Sequence, residues 1–122
     1  MFNTTNGFML YNGLRCTDIG PDTAAFAADL TPMGLNPHGV AHGGLLYTLA
    51  DSATGAAVHS DGRRYVTLSS SFNFLRMARE GTIVANGRVV KRGKTVAVAE
   101  CTVECDGQTL ATGTFTFFCL DK

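Results

Sequence analysis

The sequence predicts an α+β fold in which an antiparallel sheet of five to six strands wraps around one long buried helix. The helix is predicted because residues 45–58 are mostly Leu, Ala and Val, with apolar positions on every side. The strands are predicted because apolar and polar residues alternate along several segments after residue 64. Four small residues on the predicted inward faces would let the sheet curve around the helix: Ala97, Ala99, Ala111 and Gly113.

The chain before the helix is predicted to form two strands and a loop. Residues 1–12 show little periodicity, so a short turn or a frayed terminus is expected there. The first strand is predicted over residues 13–19 and the second over residues 23–30, because a Gly-Pro-Asp-Thr turn lies between them. Residues 31–41 are predicted to be a loop, since their two prolines prevent a regular element from continuing.

The helix is predicted to begin at His42 or Gly43 and to end near Ser60, where an Asp-Gly pair follows. Four strands are then expected as an antiparallel meander, and Asp106-Gly107 is a strong hairpin signal between the last two. Their predicted ranges are 66–74, 83–91, 95–105 and 109–119. In the first of them, one face is predicted to carry Val66, Leu68, Phe72 and Phe74, and the other face Thr67, Ser69, Ser71 and Asn73.

Composition indicates a compact globule. At 122 residues, with 45% hydrophobic and 16% charged residues, the chain is expected to form a single domain over residues 1–122. Neither a signal peptide nor a membrane-spanning run is visible, and the four cysteines lack metal-ligand spacing, so a cytoplasmic protein with buried thiols is expected. No metal cluster or nucleotide-binding motif is present, so no metal and no separate cofactor is expected.

The net charge of zero conceals an uneven distribution along the chain. Eight of the ten basic residues fall between positions 63 and 94, where the only acid is Glu80. A local basic field on a neutral protein favours an anionic ligand over general binding to nucleic acid, which is not expected to be a partner. The alternative is a scatter of solvated charges at strand ends.

A carboxylate within the apolar helix is the first indication of function. Asp51 lies two turns inside the helix, where an ionised group needs a partner, hydrogen bonds or a cavity. It could also be a structural acid satisfied by Ser52, Thr48 or a loop amide. At the helix start, the unpaired N–H groups of Gly43 and Gly44 offer a donor site that a ligand can approach closely.

The order of these residues resembles the signature of the phenylacetyl-CoA thioesterase-like (PaaI-like) hotdog family. The pattern is Asn36-x-x-Gly39-x-x-His42-Gly43-Gly44, with Asp51 seven residues later. Further similarities are Val66-Thr67-Leu68, Asn73-Phe74-Leu75-Arg76, the turn Arg92-Gly93-Lys94-Thr95 and the hairpin Asp106-Gly107. The resemblance covers roughly residues 13–118. One departure is Met77, which stands where the family usually has proline.

The resemblance implies a hotdog fold and an acyl-CoA thioesterase. It assigns the Gly43 N–H as donor to the oxyanion, Asn36 as the residue that orients water or substrate, and Asp51 as nucleophile or general base. Two further candidates have structural alternatives. His42 could simply start the helix, and Thr67, which matches the family's hydroxyl near the carboxylate, could be a plain strand threonine.

The same resemblance and the basic window suggest how substrate is bound. Coenzyme A is expected as part of the substrate, with its phosphates near the turn at residues 91–94. The candidate binding residues are Gly44, Arg76, Arg92, Gly93 and Lys94. Gly43 and Asp51 are separated by a helix rise of about 12 Å, so one chain is not expected to bring both to one carbonyl. A homodimer or homotetramer with a shared active site is therefore expected, as in this family.

Two other functions are compatible with the sequence. A hydratase or dehydratase of acyl thioesters would usually pair a histidine with an acid, and Asp51 has no obvious histidine partner. A non-enzymatic acyl-CoA binding or sensing domain would not need the acid and the glycine pair. Whether the acyl group is aryl or aliphatic is left open by the sequence.

Overall fold

The structure, a computed structural model, describes residues 2–121 and contains one long helix and one sheet. The elements in chain order are α1 (Gly7–Tyr11), β1 (Arg15–Gly20), β2 (Thr23–Asp29), a 3₁₀ turn (Pro32–Gly34), α2 (Gly43–Val58), a second 3₁₀ turn (His59–Asp61), β3 (Tyr65–Phe74), β4 (Thr82–Arg92), β5 (Val96–Cys105) and β6 (Gln108–Cys119). This is the predicted hotdog arrangement, in which the sheet wraps around α2. None of the helices within this part of the chain has the length and apolar character needed to cross a bilayer.

The six strands form one antiparallel sheet in the order β1-β2-β4-β5-β6-β3. The predicted four-strand meander is therefore wrong for β3, which pairs with β6 at the edge of the sheet. The short turns after β4 and β5 do make hairpins, whereas the connection over residues 75–81 carries the chain from β3 at one edge of the sheet to β4, which lies between β2 and β5. A connection of that length does not force neighbouring strands in the sequence to pair.

The core lies between α2 and the concave face of the sheet. Along the helix, Leu49, Ala50 and Ala53 have no exposed surface. Opposite them, β5 and β6 contribute the predicted small residues Ala97, Ala99 and Ala111, all fully buried. Gly113 is only half-buried, but it lies directly beneath the ring of Phe72. Small side chains on both elements allow the close packing that the predicted fold requires.

A β-bulge in β3 changes the predicted pattern of its faces. The register shifts between Thr67 and Ser69, so the residues before and after Leu68 change sides. Val66 and Leu68 are consequently 48% and 60% exposed, whereas Phe72 packs against the core. The strict alternation predicted from the sequence is wrong at this point, because an inserted residue reverses every later side chain.

The N-terminal segment contains a short helix where a turn or frayed end was predicted. Asn6 caps α1 by accepting a hydrogen bond from the N–H of Met9 at 3.1 Å, and Met9 is buried. A five-residue helix with one buried residue is too short to leave a periodic signal. The predicted helix α2 is confirmed, and it ends through the 3₁₀ turn and Gly62, whose φ is +84°.

We predict that Gly87→Ala destabilises the fold by about 1–3 kcal/mol, because of overpacking. A Cβ atom at Gly87 on β4 would lie 2.7 Å from the backbone carbonyl of Ala53 on α2, so the helix would have to move away from the sheet. Urea unfolding would measure the change. Gly7→Ala is the matched control, because a Cβ there meets nothing within 4 Å. Equal midpoints for the two variants would contradict the close approach of α2 to β4.

Candidate active site

The carboxylate of Asp51 lies on the side of α2 that faces β3. Asp51 is half-buried, and its Oδ1 accepts a hydrogen bond from the hydroxyl of Thr67 at 2.8 Å. Neither helix neighbour suggested by the sequence holds the carboxylate, since the Thr48 hydroxyl donates to the carbonyl of Gly44 and Ser52 makes no such contact. The sequence pattern predicts Thr67 on the polar face of its strand. In the structure its side chain points towards the helix, because Thr67 lies just before the bulge.

Burial raises the pKa of Asp51 above its ordinary value of 3.8, and the hydrogen bond from Thr67 lowers it in part. Within residues 2–121, no lysine, arginine or histidine forms an ion pair with this carboxylate. A carboxylate that is partly desolvated and has no cation is a stronger base than an exposed one. Asp51 is therefore suited to accept a proton or to attack an electrophile.

The first turn of α2 leaves one backbone donor free. His42 is the N-cap, and its Nδ1 accepts a hydrogen bond from the N–H of Gly44 at 2.9 Å. The carbonyl of His42 accepts from the next two amides, those of Leu45 and Leu46. No acceptor within the described part of the chain is bound to the Gly43 N–H. The positive end of the helix thus presents a single donor, as an oxyanion site needs.

These contacts separate the roles predicted for the glycines and for His42. Gly43 keeps the donor assigned to it, whereas the N–H of Gly44 is already used by the cap. The cap contact favours the structural alternative for His42. Gly43 also packs beneath Phe74, since a Cβ there would lie 3.2 Å from the ring. Glycine at this position therefore allows close packing as well as access to the amide.

Asn36 organises the loop that leads to the helix. Its Oδ1 accepts hydrogen bonds from the N–H groups of His38 at 2.9 Å and Val40 at 3.2 Å. The loop is closed by a bond from the Asn36 N–H to the carbonyl of Val40, and Gly39 takes a φ of +77°. The side-chain oxygen of Asn36 is therefore occupied, so any contact of its side chain with water or substrate would be made through the Nδ2 amide.

Gly43 and Asp51, both on α2, contact opposite ends of β3. Gly43 contacts Phe74 at the end of the strand, and Asp51 contacts Thr67 near its beginning. Along the helix the two residues are separated by a rise of about 12 Å. One chain therefore does not bring the donor and the carboxylate to the same atom. The outer edge of β3 has no strand partner within residues 2–121.

Half of the basic residues in the window of residues 63–94 are neutralised by acids from outside it. Four arginines of the window form ion pairs with acids before or after it: Arg63 with Asp61, Arg64 with Asp121, Arg88 with Glu100, and Arg92 with both Asp22 and Asp61. The side chains of Lys91 and Lys94 make no ion pair within the described residues. The available positive charge is therefore much smaller than the sequence suggests.

Arg92 has a structural role, contrary to the prediction that it binds phosphate. Its Nη1 donates to the carbonyl of Val58 at 2.9 Å and to Asp61 at 2.7 Å, and its Nη2 donates to Asp22 at 2.7 Å. The guanidinium thus caps the C-terminal end of α2. Although burial raises the pKa of Asp61, hydrogen bonds from the Tyr65 hydroxyl and from Arg63, together with the charge of Arg92, lower it to about 2. The N–H of Gly93 is likewise used, since it donates to the carbonyl of Val96. Neither residue is left free for a ligand.

Arg76 and Lys94 remain as candidates for binding an anion, and they lie at opposite ends of the sheet edge. Arg76 follows β3 and donates to the carbonyl of Thr109 at 3.0 Å, at the start of β6. Lys94 precedes Thr95, whose carbonyl accepts from the N–H of Cys119 at the end of β6. The two cations are therefore separated along the sheet in the same way as the amide of Gly43 and the carboxylate of Asp51.

A second contact between α2 and β3 was not predicted. The hydroxyl groups of Tyr47 and Ser70 are 2.6 Å apart, one helical turn before Asp51. Tyr47 also contacts the rings of Phe72 and Phe115. The i,i+4 spacing of Tyr47 and Asp51 was an available signal, but the bulge that turns Ser70 inwards was not. No group of three or more metal-ligating side chains occurs in the described part of the chain.

Sequence comparisons relate this chain to known proteins. The family model described as the thioesterase superfamily matches residues 38–112. A putative esterase of Deinococcus radiodurans is 39% identical over 86 residues, which cover 70% of this chain and 58% of that protein. The acyl-coenzyme A thioesterase PaaI of Escherichia coli is 33% identical over 87 residues, covering 70% of this chain and 62% of that protein. The chain thus spans about three fifths of the length of these two relatives.

Solved structures match over nearly the whole chain. A conserved protein of Pseudomonas aeruginosa superimposes with a TM-score of 0.93 at 28% identity, covering 96% of both chains. A mutant of the phenylacetic acid degradation protein PaaI from Thermus thermophilus gives a TM-score of 0.89 at 32% identity, covering 93% of this chain and 98% of that one. A hypothetical thioesterase of Streptococcus pneumoniae, solved with coenzyme A, gives 0.84 at 29% identity, covering 89% and 90%.

We predict that Thr67→Val raises the pKa of Asp51. The hydrogen bond from Thr67 stabilises the carboxylate, so its removal leaves burial as the dominant influence and the carboxyl titrates at higher pH. Carbon NMR of labelled aspartate side chains would measure the titration, with Asp51→Asn used to assign the resonance. Thr67→Ser keeps the hydroxyl and should leave the titration where it is. An unchanged or lower pKa in the valine variant would show that the hydrogen bond contributes nothing.

Proposed function

This chain belongs to the thioesterase superfamily and, within it, to the PaaI-like hotdog proteins, and from that premise we propose that it hydrolyses the thioester of an acyl- or aryl-CoA to the free acid and coenzyme A. The proposal depends above all on one observation, the half-buried carboxylate of Asp51, whose pKa is raised by burial and which has no cation as partner among residues 2–121. Coenzyme A is then part of the substrate, and no separate cofactor takes part. Four free thiols suit a reducing compartment, and we place the protein in the cytoplasm.

The reaction proceeds in two steps when Asp51 acts as a general base. Asp51 removes a proton from a water molecule, and this water attacks the thioester carbonyl. The carbonyl oxygen becomes an oxyanion, which accepts a hydrogen bond from the Gly43 N–H. The tetrahedral intermediate then collapses, the carbon–sulfur bond breaks, and the thiolate of coenzyme A receives the proton. Thr67 orients the carboxylate, and the Nδ2 amide of Asn36 is available to position water or the carbonyl.

A covalent route uses the same residues. The carboxylate of Asp51 attacks the thioester directly, coenzyme A leaves as a thiolate, and a mixed anhydride joins Asp51 to the acyl group. Water then hydrolyses this anhydride, which releases the acid and restores the carboxylate. The same oxyanion site at Gly43 serves both steps. The two routes differ in the atom that first bonds to the acyl carbon, and this difference is measurable.

The distance between Gly43 and Asp51 requires a second chain. The free edge of β3 carries exposed Val66 and Leu68, and an unpaired edge of this kind readily adds another strand. Two β3 strands paired antiparallel about a two-fold axis place the Thr67 end of one beside the Phe74 end of the other. Asp51 of the partner subunit then approaches the N–H of Gly43. We propose a homodimer with two shared sites, and a homotetramer formed from two such dimers.

The same symmetry brings the remaining cations together. Arg76 lies at the Phe74 end of β3, and Lys94 lies near the Tyr65 end. Antiparallel pairing places Lys94 of the partner subunit near Arg76, close to the Gly43 that binds the thioester. Arg76 and Lys94 are therefore the residues that we propose to bind the phosphates of coenzyme A. Arg92, which is held by Asp22 and Asp61, is not part of this proposal.

We predict that Asp51→Asn lowers kcat for acyl-CoA hydrolysis by about a hundredfold or more, because an amide neither accepts the proton nor attacks the carbonyl. Release of free thiol from a panel of acyl- and aryl-CoA substrates would measure the rate. Asp18→Asn, at an exposed aspartate of β1, is the matched control. A parent protein that binds acyl-CoA without hydrolysing it would instead be a binding domain, and full activity in the Asp51 variant would make this carboxylate structural.

Single-turnover hydrolysis in heavy-oxygen water detects the covalent route in the parent protein when water attacks the protein side of the anhydride. In the covalent route, attack of water on the protein side of the anhydride leaves label in the carboxylate of Asp51, and mass spectrometry of the peptide detects it. In the general-base route, label enters only the free acid.

We predict that two inactive variants restore activity when they are mixed in one dimer. Gly43→Pro removes the donor N–H at the first helical position, where proline is tolerated and where His42 has the extended backbone that precedes proline, with ψ at 133°. In a mixed dimer of Gly43→Pro and Asp51→Asn, one site has both defects and the other has neither. Statistical mixing should give about a quarter of the parental activity if the sites are shared.

Two controls make this mixing experiment decisive. Gly43→Ala adds the same Cβ near Phe74 but keeps the N–H, so it separates packing from donation. As the second control, Gly43→Pro alone and Asp51→Asn alone should each remain nearly inactive. If the mixture is as inactive as its components although mixed dimers form, each site is contained in one chain.

A further inference from the structure

A cavity lies beside the start of α2, on the side where the N-terminal helix covers it. It has a volume of about 590 Å³ and is bounded by α1, the 3₁₀ turn Pro32–Gly34 and the first two turns of α2. This volume is in the range of about 300–1,000 Å³ that small-molecule sites usually have. Its apolar walls are formed by Phe8, Tyr11, Met33 and Leu45.

Three of these apolar side chains are unusually exposed. Phe8 is 64% exposed, Tyr11 85% and Met33 88%. Large apolar residues that gather around a concave surface indicate a binding site rather than random surface composition. Leu45, the fourth apolar residue, packs closely against the 3₁₀ turn, since a Cβ at Gly34 would lie 3.0 Å from its side chain. The groove is thus preformed by the packing of the turn against α2.

The groove adjoins the start of α2, where the candidate oxyanion donor lies. His42, Gly44 and Thr48 line its inner end, and the free N–H of Gly43 belongs to the same first turn of α2. The Gly44 N–H donates to His42, and the hydroxyl of Thr48 donates to the carbonyl of Gly44. The N–H of Gly44 and the hydroxyl of Thr48 are therefore already satisfied within the helix, which suits an apolar ligand beside them.

The groove does not suit the anionic part of coenzyme A. Its acidic lining residue is Asp29, which accepts hydrogen bonds from Thr82 at 2.8 Å and Arg15 at 3.3 Å. These contacts lower the pKa of Asp29, so it is ionised at neutral pH. Asp29 is thus an ion-paired acid, and no lysine or arginine of the described residues lines the groove, whereas the cations Arg76 and Lys94 lie on the side of β3 and β6.

We propose that this groove binds the acyl or aryl group of the thioester, and that Phe8, Tyr11 and Met33 determine which groups are accepted. The inference rests on the proposed function, because it needs the thioester carbonyl at Gly43. It adds a role for α1, which lies outside the residues that carry the catalytic chemistry. A long or aromatic group would extend from the start of α2 into the groove, whereas an acetyl group would not reach the aromatic walls.

A tryptophan introduced at Met33 tests the groove by binding alone. The chain contains no tryptophan, so the emission of Met33→Trp reports this position only. We expect the emission to change with non-hydrolysable thioether analogues of decanoyl-CoA or phenylacetyl-CoA, and not with coenzyme A alone. Leu10→Trp is the matched control, because Leu10 is on α1 and 60% exposed but does not line the groove. Its emission should not respond.

The outcomes separate this inference from the proposed function. If calorimetry shows that the analogues bind but the introduced tryptophan at position 33 does not respond, the groove is not the acyl site and the proposed function stands. If coenzyme A alone gives the same response, the groove binds another part of the substrate, which also overturns the inference. If no analogue binds at all, the proposed function fails and the inference fails with it.

A specificity measurement provides the second test. In the double variant Phe8→Ala/Tyr11→Ala, the ratio of kcat/KM for decanoyl-CoA to that for acetyl-CoA should fall about tenfold or more, since one methylene of contact alone is worth about that factor in an apolar pocket. Leu10→Ala should leave the ratio unchanged. Thermal unfolding would confirm that the variants remain folded. An unchanged ratio in the folded double variant would overturn the inference.

Discussion

The structure depends on the enclosure of α2 by the sheet. The helix can be enclosed because small residues occur where it touches the strands, most closely at Gly87, whose missing Cβ leaves room for the backbone of Ala53. This packing removes the whole inner side of the helix from water, which is the main source of stability in a chain of this size. It also fixes the positions of the two groups on the helix that could take part in a reaction, the Gly43 amide at its start and the Asp51 carboxylate in its middle.

A rigid helix imposes a distance that the chain cannot change. The amide of Gly43 and the carboxylate of Asp51 are held about 12 Å apart along the axis, so a single thioester carbonyl cannot meet both in one chain. β3 repeats this separation, because Phe74 packs over Gly43 at one end and Thr67 bonds to Asp51 at the other. In the dimer that we propose, a second β3 pairs antiparallel with the free edge of the first. This pairing brings the Gly43 amide of each chain close to the Asp51 carboxylate of the other chain. The dimer that we propose thus rests on helix geometry and strand order together.

The sequence predicts the parts of this protein that depend on local patterns. The buried helix, the inward alanines of β5 and β6 and the Asp106-Gly107 hairpin all have short-range signals, and the structure confirms them. The position of β3 beside β6 has no local signal, because pairing across a long connection depends on the whole sheet. The bulge at Leu68 is equally hidden, and it decides which residues of β3 face the helix. The basic window misleads for a related reason. Asp22, Asp61 and Asp121 are outside it in the sequence but next to it in space.

The environment of Asp51 is hard to explain by stability alone. Where this fold needs a charge at the end of α2, it surrounds Arg92 with acids and carbonyl groups, and both terminal nitrogens of the guanidinium donate hydrogen bonds to them. Asp51 is treated differently, since burial raises its pKa and one threonine hydroxyl is its only hydrogen-bond donor among the described side chains. An asparagine or a serine would be cheaper to bury at this position. A carboxylate kept partly dry and without a cation is instead the state that a base or nucleophile requires, which favours catalysis over simple binding.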